Sequence, residues 1–409
     1  MHRHSPELSQ WIDEVSRNLP GLSKPQAVVL GMYSFGMVIV RSCGITSIAY
    51  ALSLLLERSE NTIRQRLREW YYDAPDKRGQ KRQELDVSRC FAPLLAWVLS
   101  WWETGEKRLA LAMDASTLGQ RFTVLSISVL YRGCAIPVAW RIVPAAQEGA
   151  WKPHWLNLLQ HLTDAVPDDW MVIVLTDRGL YAKWLFKAIK RLNWHPFMRI
   201  NLGGNFRPVG RARFRPLSTL VPQPGSSWSG LVDCFSTQDR RLNCTLLARW
   251  DEGYDEPWLI LTDLPSEAAT IAWYGMRTWI EQGFKDCKRG GLRWEQTKMT
   301  DPARATRLWL VIAVATLWIV SVGGQADACV PPSSFDHLPL THIARRTCKA
   351  QPQPRRLSCF CRGIIMILIA LIKGDPLPLG RFIPDPWPDH SVDIPATQSL
   401  HGVLAHAVV

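Results

Sequence analysis

Residues 109–200 carry a succession of short strand and helix patterns that few folds can accommodate. Residues 109–113 form a short apolar run, and residues 122–133 alternate and are rich in β-branched side chains. Gly133 then turns the chain into a further strand-like run, residues 134–145. Alternation of this kind with tight connections is typical of β-strands. The segment therefore predicts three consecutive strands joined as a meander.

Two helices and two more strands follow the meander. Residues 149–165 and 181–192 are predicted as helices, and they enclose the continuous apolar run 171–176. Such a run is typical of a central strand that is covered on both faces. Residues 195–200 give a fifth strand. The order strand-strand-strand-helix-strand-helix-strand predicts an α/β fold.

Two aspartates stand at the ends of strands in this segment. Asp114 directly follows the first predicted strand, and Asp177 ends the fourth, where Gly179 allows a sharp turn into the next helix. If the first and fourth strands are neighbours, the two carboxylates converge. Taken singly, either aspartate is also typical of a turn, and Asp177 of a helix N-cap.

A later segment groups a phenol, a guanidinium, a carboxylate and two ammonium groups. Tyr274, Arg277, Glu281, Lys285 and Lys288 fall on one stripe of a helix that turns by about 100° per residue. The carboxylate can ligate a hard cation, and the cations beside it can hold phosphate oxygens. The stripe therefore favours a site for metal-bound phosphate, although a solvated helix with charge pairs is the alternative.

The spacing Tyr-x2-Arg-x3-Glu-x6-Lys resembles the third catalytic segment of the DDE transposases of bacterial insertion sequences, in the cut-and-paste branch. The order of strands, helices and acids over residues 106–325 is similar to that family's ribonuclease H-like core. This resemblance implies a mixed five-stranded sheet with helices, interrupted by a β-rich insertion. The match is looser around Asp177, where the family has Asp-x-Gly followed directly by an aromatic residue. Here Leu180 intervenes before Tyr181.

The resemblance implies that Asp114, Asp177 and Glu281 are catalytic and ligate magnesium. Three carboxylates offer the hard oxygen ligands that magnesium requires, with manganese as an alternative. Two such ions about 4 Å apart can activate an attacking oxygen and stabilise a leaving one at phosphorus. Asp286 and Glu295 stay open as alternatives for the third ligand, although Asp286 lies about 140° around the helix from Glu281.

The resemblance also implies a reaction and partners. The enzyme would bind the terminal inverted repeats in double-stranded DNA, hydrolyse a phosphodiester to leave a 3′-hydroxyl, and join that end to target DNA. A hairpin end between these steps and a homodimer in the synaptic complex are implied as well. Phosphates near the DNA end would be held by Tyr274, Arg277, Lys285 and Lys288. An endonuclease without strand transfer, or a DNA-binding protein with a lapsed active site, are the alternatives.

The charge of the chain agrees with a polyanionic partner. The 409 residues carry a net charge of +12. Ten Lys or Arg and no Asp or Glu lie between residues 178 and 232, and seven lie between residues 337 and 374. Unbroken runs of one sign favour phosphate contact. A generic basic surface is the alternative for either run.

The N-terminal part is helical in character, and one of its helices is rich in arginine. Ser59 is a candidate cap for a helix that presents Arg64, Arg66 and Arg68, with Ile63, Leu67 and Trp70 facing inward. Two helices with a short turn suggest a helix-turn-helix that reads the terminal repeat. A plain helical hairpin packed on the catalytic core is the alternative.

An insertion, residues 201–265, separates the fifth strand from the helix of Glu281. It is rich in Gly, Pro and Ser at first and then strand-like. We expect it to lie over the DNA end. Its tryptophans Trp228, Trp250 and Trp258 are candidates to stack on an extruded base. Packing in the core is the alternative.

Two features complete the predictions. The apolar run 308–324 favours a buried helix over a membrane span, and the polar N-terminus without a signal peptide favours a cytoplasmic, nucleoid-associated protein. The tail after Lys373 is expected to be extended, and the resemblance makes an arm that crosses to a partner plausible. The predicted parts are a helical DNA-binding domain (1–105), the first part of the core (106–200), the insertion (201–265), the second part of the core (266–330) and a basic C-terminal region (331–409).

Overall fold

The computed structural model describes residues 5–78, 83–147, 151–252, 254–329 and 357–388. The strands are β1 Arg108–Leu118, β2 Phe122–Tyr131, β3 Cys134–Pro144, β4 Met171–Thr176, β5 His195–Arg199, β6 Asn205–Pro208, β7 Arg215–Pro216, β8 Ser227–Cys234, β9 Leu242–Arg249 and β10 Trp258–Thr262. They form one ten-stranded sheet in the order β3-β2-β1-β4-β5-β10-β9-β8-β6-β7.

Helices surround this sheet. The α-helices are α1 Pro6–Asn18, α2 Lys24–Val40, α3 Ile45–Leu56, α4 Glu60–Arg68, α5 Phe91–Ser100, α6 Lys152–Gln160, α7 Lys183–Lys190, α8 Trp279–Cys287, α9 Pro302–Ala328 and α10 Cys359–Lys373. Short 3-10 helices span Ala74–Asp76, Val87–Cys90, Leu217–Thr219, Ile271–Thr278 and Trp294–Gln296.

The first half of the sheet confirms the predicted succession of strands. β1 pairs antiparallel with β2, and β2 with β3, so these strands form the expected meander. β4 lies parallel beside β1, and β5 lies parallel beside β4. β2 is buried along its whole length and β4 nearly so, as expected for strands covered on both faces. β1 does not end at Asp114 but continues, paired with β2, to Leu118.

The strands of the second half come from the predicted insertion, residues 201–265, and they extend the predicted five-stranded sheet. β10 pairs antiparallel with β5, and β9, β8, β6 and β7 continue outward from β10. The five-stranded sheet is therefore the inner half of a ten-stranded one. The reason is that β5 has a free edge with unpaired backbone groups, which β10 satisfies.

The apolar run after the glutamate helix is a buried helix, as predicted. Asp301 caps α9 by accepting hydrogen bonds from the backbone N of Ala303 and Arg304. Every residue from Arg307 to Gly324 is buried. Among the described residues, α9 is the one helix long and apolar enough to cross a membrane by itself. α2 and α3 reach that length only as a pair bent by 101°.

The N-terminal helices pack against α9. Trp11 of α1 stacks on Trp318 of α9, with ring centroids 4.3 Å apart. The indole N–H of Trp70 donates a hydrogen bond to the carbonyl oxygen of Arg307 over 2.8 Å. α10 crosses α9 closely, since a Cβ on Gly363 would lie 1.8 Å from the carbonyl oxygen of Ile319. α9 is therefore shared by the N-terminal helices, the sheet and α10.

The chain after α10 is extended and lies on the body of the same molecule. The backbone N of Phe382 donates to the carbonyl oxygen of Trp101, and that of Glu103 donates to the carbonyl oxygen of Phe382. Arg132 pairs with Asp385 over 2.6 Å. Most of the basic run 337–374 lies outside the described residues, as does the end of the predicted tail.

Candidate active site

Asp114 and Asp177 occupy neighbouring positions in the sheet. Met113 of β1 pairs with Thr176 of β4, and the two strands are parallel. The residue after each of them is an aspartate, so Asp114 and Asp177 are neighbours. Asp114 Oδ1 accepts a hydrogen bond from the backbone N of its neighbour Ala115 over 2.8 Å. Asp177 lies just past the end of β4. The parallel pairing therefore places the two carboxylates side by side, as the sequence predicts.

Glu281 reaches the same place from α8. It lies in the first turn of that helix, which packs on β1, β2 and β3. Gly283 allows a close approach to β3, because a Cβ there would lie 2.8 Å from the Cβ of Ala135. The 3-10 helix before α8 is anchored by Tyr274, whose hydroxyl donates to the carbonyl oxygen of Thr176 over 3.2 Å. Both contacts fix α8 beside the sheet, where Asp114 of β1 and the end of β4 lie.

Arg277 lies among the three acids. Its Nη2 is 2.7 Å from Asp114 Oδ2 and 3.8 Å from Asp177 Oδ2. Its Nη1 is 2.5 Å from Glu281 Oε1. The residue is only 3% exposed. The carboxylates that the sequence predicts as catalytic are thus gathered around one buried guanidinium.

The charges of this cluster shift the pKa values of its members. Burial, with repulsion from Asp177 and Glu281, raises the pKa of Asp114 to about 6, although attraction to Arg277 opposes the rise. Burial lowers the pKa of Arg277, but attraction to the carboxylates outweighs it, and the pKa is raised. One guanidinium therefore pairs with three carboxyl groups, so the cluster contains more acidic groups than basic ones.

The donor set fits a divalent cation in its chemistry. Carboxylate oxygens are the ligands that magnesium prefers, and the acids outnumber the positive charge of Arg277. In the part of the chain that the structure describes, however, no three His, Cys, Asp or Glu side chains are placed to share one ion. Arg277 lies where the three carboxylates meet, so a bound metal requires this side chain to give up some of its contacts.

The predicted single helical stripe is wrong at both ends. Tyr274 and Arg277 lie in a 3-10 helix, which has about three residues per turn rather than 3.6. α8 ends at Cys287, one residue before Lys288. Tyr274 is 1% exposed, and burial raises the pKa of its phenol. As placed, Tyr274 supports the site through Thr176 and does not face a phosphate.

The two lysines of the predicted stripe follow Glu281 along the chain, and Lys288 contacts β1. Lys288 Nζ donates to Ser116 Oγ and to the carbonyl oxygen of Thr117, each over 2.8 Å. Both partners belong to the part of β1 beyond Asp114. Burial lowers the pKa of Lys288. Lys285 is half-buried, one turn of α8 beyond Glu281.

The prediction that Trp258 stacks on an extruded base disagrees with its position. Trp258 is 8% exposed and packs edge-on against Tyr274, with ring centroids 5.3 Å apart. It belongs to β10, whose residues are all buried. Its hydrophobic area is therefore used in the core. Trp228 and Trp250 are half-buried.

The arginine-rich helix begins after Ser59 as predicted but ends at Arg68, before Trp70. Ser59 caps α4 by accepting a hydrogen bond from the backbone N of Thr62. Ile63, Leu67 and Trp70 are buried, whereas Arg66 and Arg68 are exposed and Arg64 pairs with Glu60 of the same helix. Residues 57–59 join α3 to α4. Two of the three arginines therefore face outward, after a short turn between two helices.

Sequence reasoning missed a pair of arginines beside Asp177. Arg199 is level with Asp177, because β5 pairs in parallel with β4. Arg199 Nη2 and Arg178 Nη1 donate to the same oxygen of Glu256, over 2.9 and 2.8 Å. Arg199 is 7% exposed. The available signal was an arginine at the end of the apolar strand HPFMR.

Comparison with known proteins found a family model that matches the middle of the chain and a similar solved structure. Residues 143–318 match the family model described as the transposase DDE domain. This range runs from the end of β3 into α9 and contains Asp177 and Glu281, whereas Asp114 precedes it. A structure of piggyBac transposase, in a synaptic complex with hairpin DNA, is similar over 75% of this chain and 71% of its own, at 11% identity and a TM-score of 0.37. The comparison with curated proteins gave no match.

Proposed function

We propose that the protein is a DDE transposase that excises and inserts an insertion sequence by the cut-and-paste route. The meeting of Asp114, Asp177 and Glu281 around Arg277 is the observation that carries this proposal. The strand order β3-β2-β1-β4-β5 suits a ribonuclease H-like core, with the outer five strands as its insertion. The family match over residues 143–318 is independent support.

The three acids are proposed to hold magnesium, with manganese as the alternative. The metal, when bound, supplies activation of the attacking oxygen and stabilisation of the leaving oxygen at phosphorus. The side chains around it hold the DNA. Arg277 has the planar guanidinium suited to two phosphate oxygens at once. Lys285 and Lys288 add ammonium groups on the same side of the acids.

The proposed partners are two DNA segments and a second copy of the protein. Arg66 and Arg68 of α4 are exposed and free to meet the terminal inverted repeat in a major groove. The carboxylate site would first hydrolyse the strand at the element boundary and then join its 3′-hydroxyl to target DNA. A homodimer holding two ends would make the joining concerted.

A cleavage assay with a matched pair of variants tests the proposal. The full chain would be mixed with a labelled duplex carrying the ends of its native element, with and without magnesium. Glu281→Gln should lower metal-dependent nicking below detection while leaving DNA affinity within about twofold, because the amide keeps the shape but not the charge that a metal requires.

Glu295→Gln is the control for that experiment. Glu295 is also acidic and lies further along the same segment, but neither of its carboxylate oxygens has a hydrogen-bond partner in the described structure. We expect this variant to cut normally. Loss of cutting in Glu295→Gln alone would contradict the assignment of Glu281. Nicked but never joined DNA would favour an endonuclease without strand transfer.

A further inference from the structure

The outer end of the sheet carries a cluster of arginines that the carboxylate site does not use. We call the segment Arg207–Arg215, which includes the turn between β6 and β7, the arginine hairpin. Arg211, Arg213 and Arg215 are all exposed. Gly210 has a φ of 82°, which allows the tight turn that brings the arginines together.

An aromatic ring holds the base of the arginine hairpin rigid. The guanidinium of Arg207 lies 4.8 Å from the centroid of Phe214, and that of Arg241, from the loop before β9, lies 5.4 Å away. Arg207 also pairs with Asp233 over 2.6 Å. Stacking of this kind orders long side chains before any partner binds.

Three of the four arginines of the hairpin have no acidic partner among the described residues. Segment 201–232 contains no Asp or Glu. Within the described ranges, Arg211, Arg213 and Arg215 form no ion pair, in contrast to Arg207. Exposed guanidiniums grouped without acids repel each other, and a polyanion relieves that repulsion.

The strand register places the hairpin at the same edge of the sheet as the acids. The backbone N of Val209 donates to the carbonyl oxygen of Leu231 of β8. Leu231 belongs to a row of cross-strand neighbours that continues through β9, β10 and β5 to Leu175 of β4. The turn beyond Val209 therefore leaves the sheet on the side where Asp177 lies. Five strand spacings separate β4 from β6, which amounts to about 24 Å at about 4.8 Å each.

We propose that the arginine hairpin binds the phosphate backbone of duplex DNA about seven base pairs from the phosphate at the carboxylate site. The figure follows from about 24 Å divided by the rise of about 3.4 Å per base pair. The inference rests on the proposed function, because the distance is counted from the phosphate that the carboxylate site would bind. Its electrostatic part, binding of duplex DNA by these arginines, stands apart from whether the protein cuts.

A different role for these arginines is to guard the edge of the sheet. β7, Arg215–Pro216, is the outermost strand, and charged residues on edge strands prevent pairing with other chains. Substitution by glutamate separates the two roles. Glutamate would guard an edge as well as arginine does, but it would repel a phosphate backbone.

The test measures binding of a fluorescent 30-base-pair duplex of mixed sequence in EDTA, at several NaCl concentrations. Each phosphate contact contributes about −0.9 to the slope of log affinity against log salt. The double variant Arg211→Ala/Arg213→Ala should flatten that slope by about 1.8 and weaken binding about tenfold or more at 0.1 M salt. Arg211→Glu/Arg213→Glu should weaken it further. Arg141→Ala/Arg381→Ala removes two exposed cations outside both basic runs and should leave the slope unchanged.

The outcomes keep this inference apart from the proposed function. If both hairpin variants bind with the wild-type slope, the hairpin does not contact DNA, whatever the cleavage assay shows. If the wild type fails to bind the duplex at all, the proposed function fails with it. On a duplex that the protein nicks, hydroxyl-radical footprinting of Arg211→Ala/Arg213→Ala should lose protection about seven base pairs from the nick. Protection lost only at the nick would overturn the placement.

Discussion

Arg277 is almost completely buried, with 3% of its surface exposed. It lies between three carboxylates that would otherwise repel one another. Breaking a buried ion cluster by removing one partner is costly, because it leaves charge uncompensated. The same reasoning explains why a divalent cation suits this place. It could take over the compensation of Asp114 and Glu281 and free the guanidinium for phosphate. The residue thus couples the stability of the site to its proposed chemistry.

Asp286 of α8 provides a prediction at the residue scale that is independent of DNA. It is 3% exposed, accepts a hydrogen bond from Gln282 over 2.8 Å, and burial raises its pKa from 3.8 to about 7. The native state therefore keeps its proton up to about pH 7, whereas the unfolded chain loses it near pH 4. The free energy of unfolding falls as pH rises between these values, by about 4 kcal/mol at about 1.36 kcal/mol per pKa unit.

Asp286→Asn should remove this dependence, because the amide oxygen still accepts from Gln282 and cannot ionise. Urea unfolding at pH 4, 5.5, 7 and 8 would measure it. We expect the variant to match the wild type at pH 4, to gain stability over it up to pH 7, and to keep a constant margin above. An equal margin at pH 4 and pH 8 would show that Asp286 ionises normally in the folded protein.

At the scale of elements, the fit of α8 against β3 sets the position of Glu281. A methyl group on Gly283 would lie 2.8 Å from the Cβ and 3.0 Å from the carbonyl oxygen of Ala135, and neither atom can rotate away. Gly283→Ala should therefore shift α8, even though alanine favours helices by about 1 kcal/mol over glycine. We expect metal-dependent nicking to fall by about tenfold or more, since small misplacements of catalytic groups are costly.

The controls for this prediction come from the same chain. Gly105 has no atom within 4 Å of an added Cβ, so Gly105→Ala should leave nicking unchanged. Adding Ala135→Gly to Gly283→Ala removes one of the two clashing atoms and should restore part of the activity. Normal nicking by Gly283→Ala alone would show that the position of α8 tolerates movement. DNA affinity, measured in parallel, should stay the same throughout.

The same elements show what the sequence could and could not predict. The meander and the central strand β4 follow from local periodicity, and the convergence of Asp114 with Asp177 then needs only that β1 and β4 be neighbours. The 3-10 helix around Tyr274 was missed because a period of about 3.6 residues was assumed throughout. The pairing of β10 with β5 depends on a free sheet edge, and no local pattern records which strand fills it.

At the scale of the whole molecule, segments distant in sequence close around α9 and the sheet. Trp11 and Trp70 reach α9 from the N-terminal helices, while Arg121 at the β1–β2 turn donates to the carbonyl oxygens of Glu295 and Met299 over 3.1 and 3.0 Å. These contacts hold the part of the chain that follows α8, from Glu295 into α9. The predicted N-terminal domain therefore supports the candidate site through a shared core, whatever DNA it binds.

The segment after α10 provides the last prediction. If it packs on its own chain, its contribution to stability does not depend on protein concentration, whereas an arm that packs on a partner subunit makes stability depend on it. Phe382 is fully buried, Trp387 packs on Trp273 in the segment before α8, and Arg132 forms an ion pair with Asp385. A protein truncated after Gly374 should lose about 3 to 5 kcal/mol of stability, the cost of emptying a buried Phe site, and its melting temperature should not depend on protein concentration. Truncation after Pro388 is the control, because it keeps Phe382, Asp385 and Trp387. The opposite result has two parts: the melting temperature of the full chain falls on dilution, and truncation after Gly374 costs little stability. Together they would show that the segment stabilises a dimer.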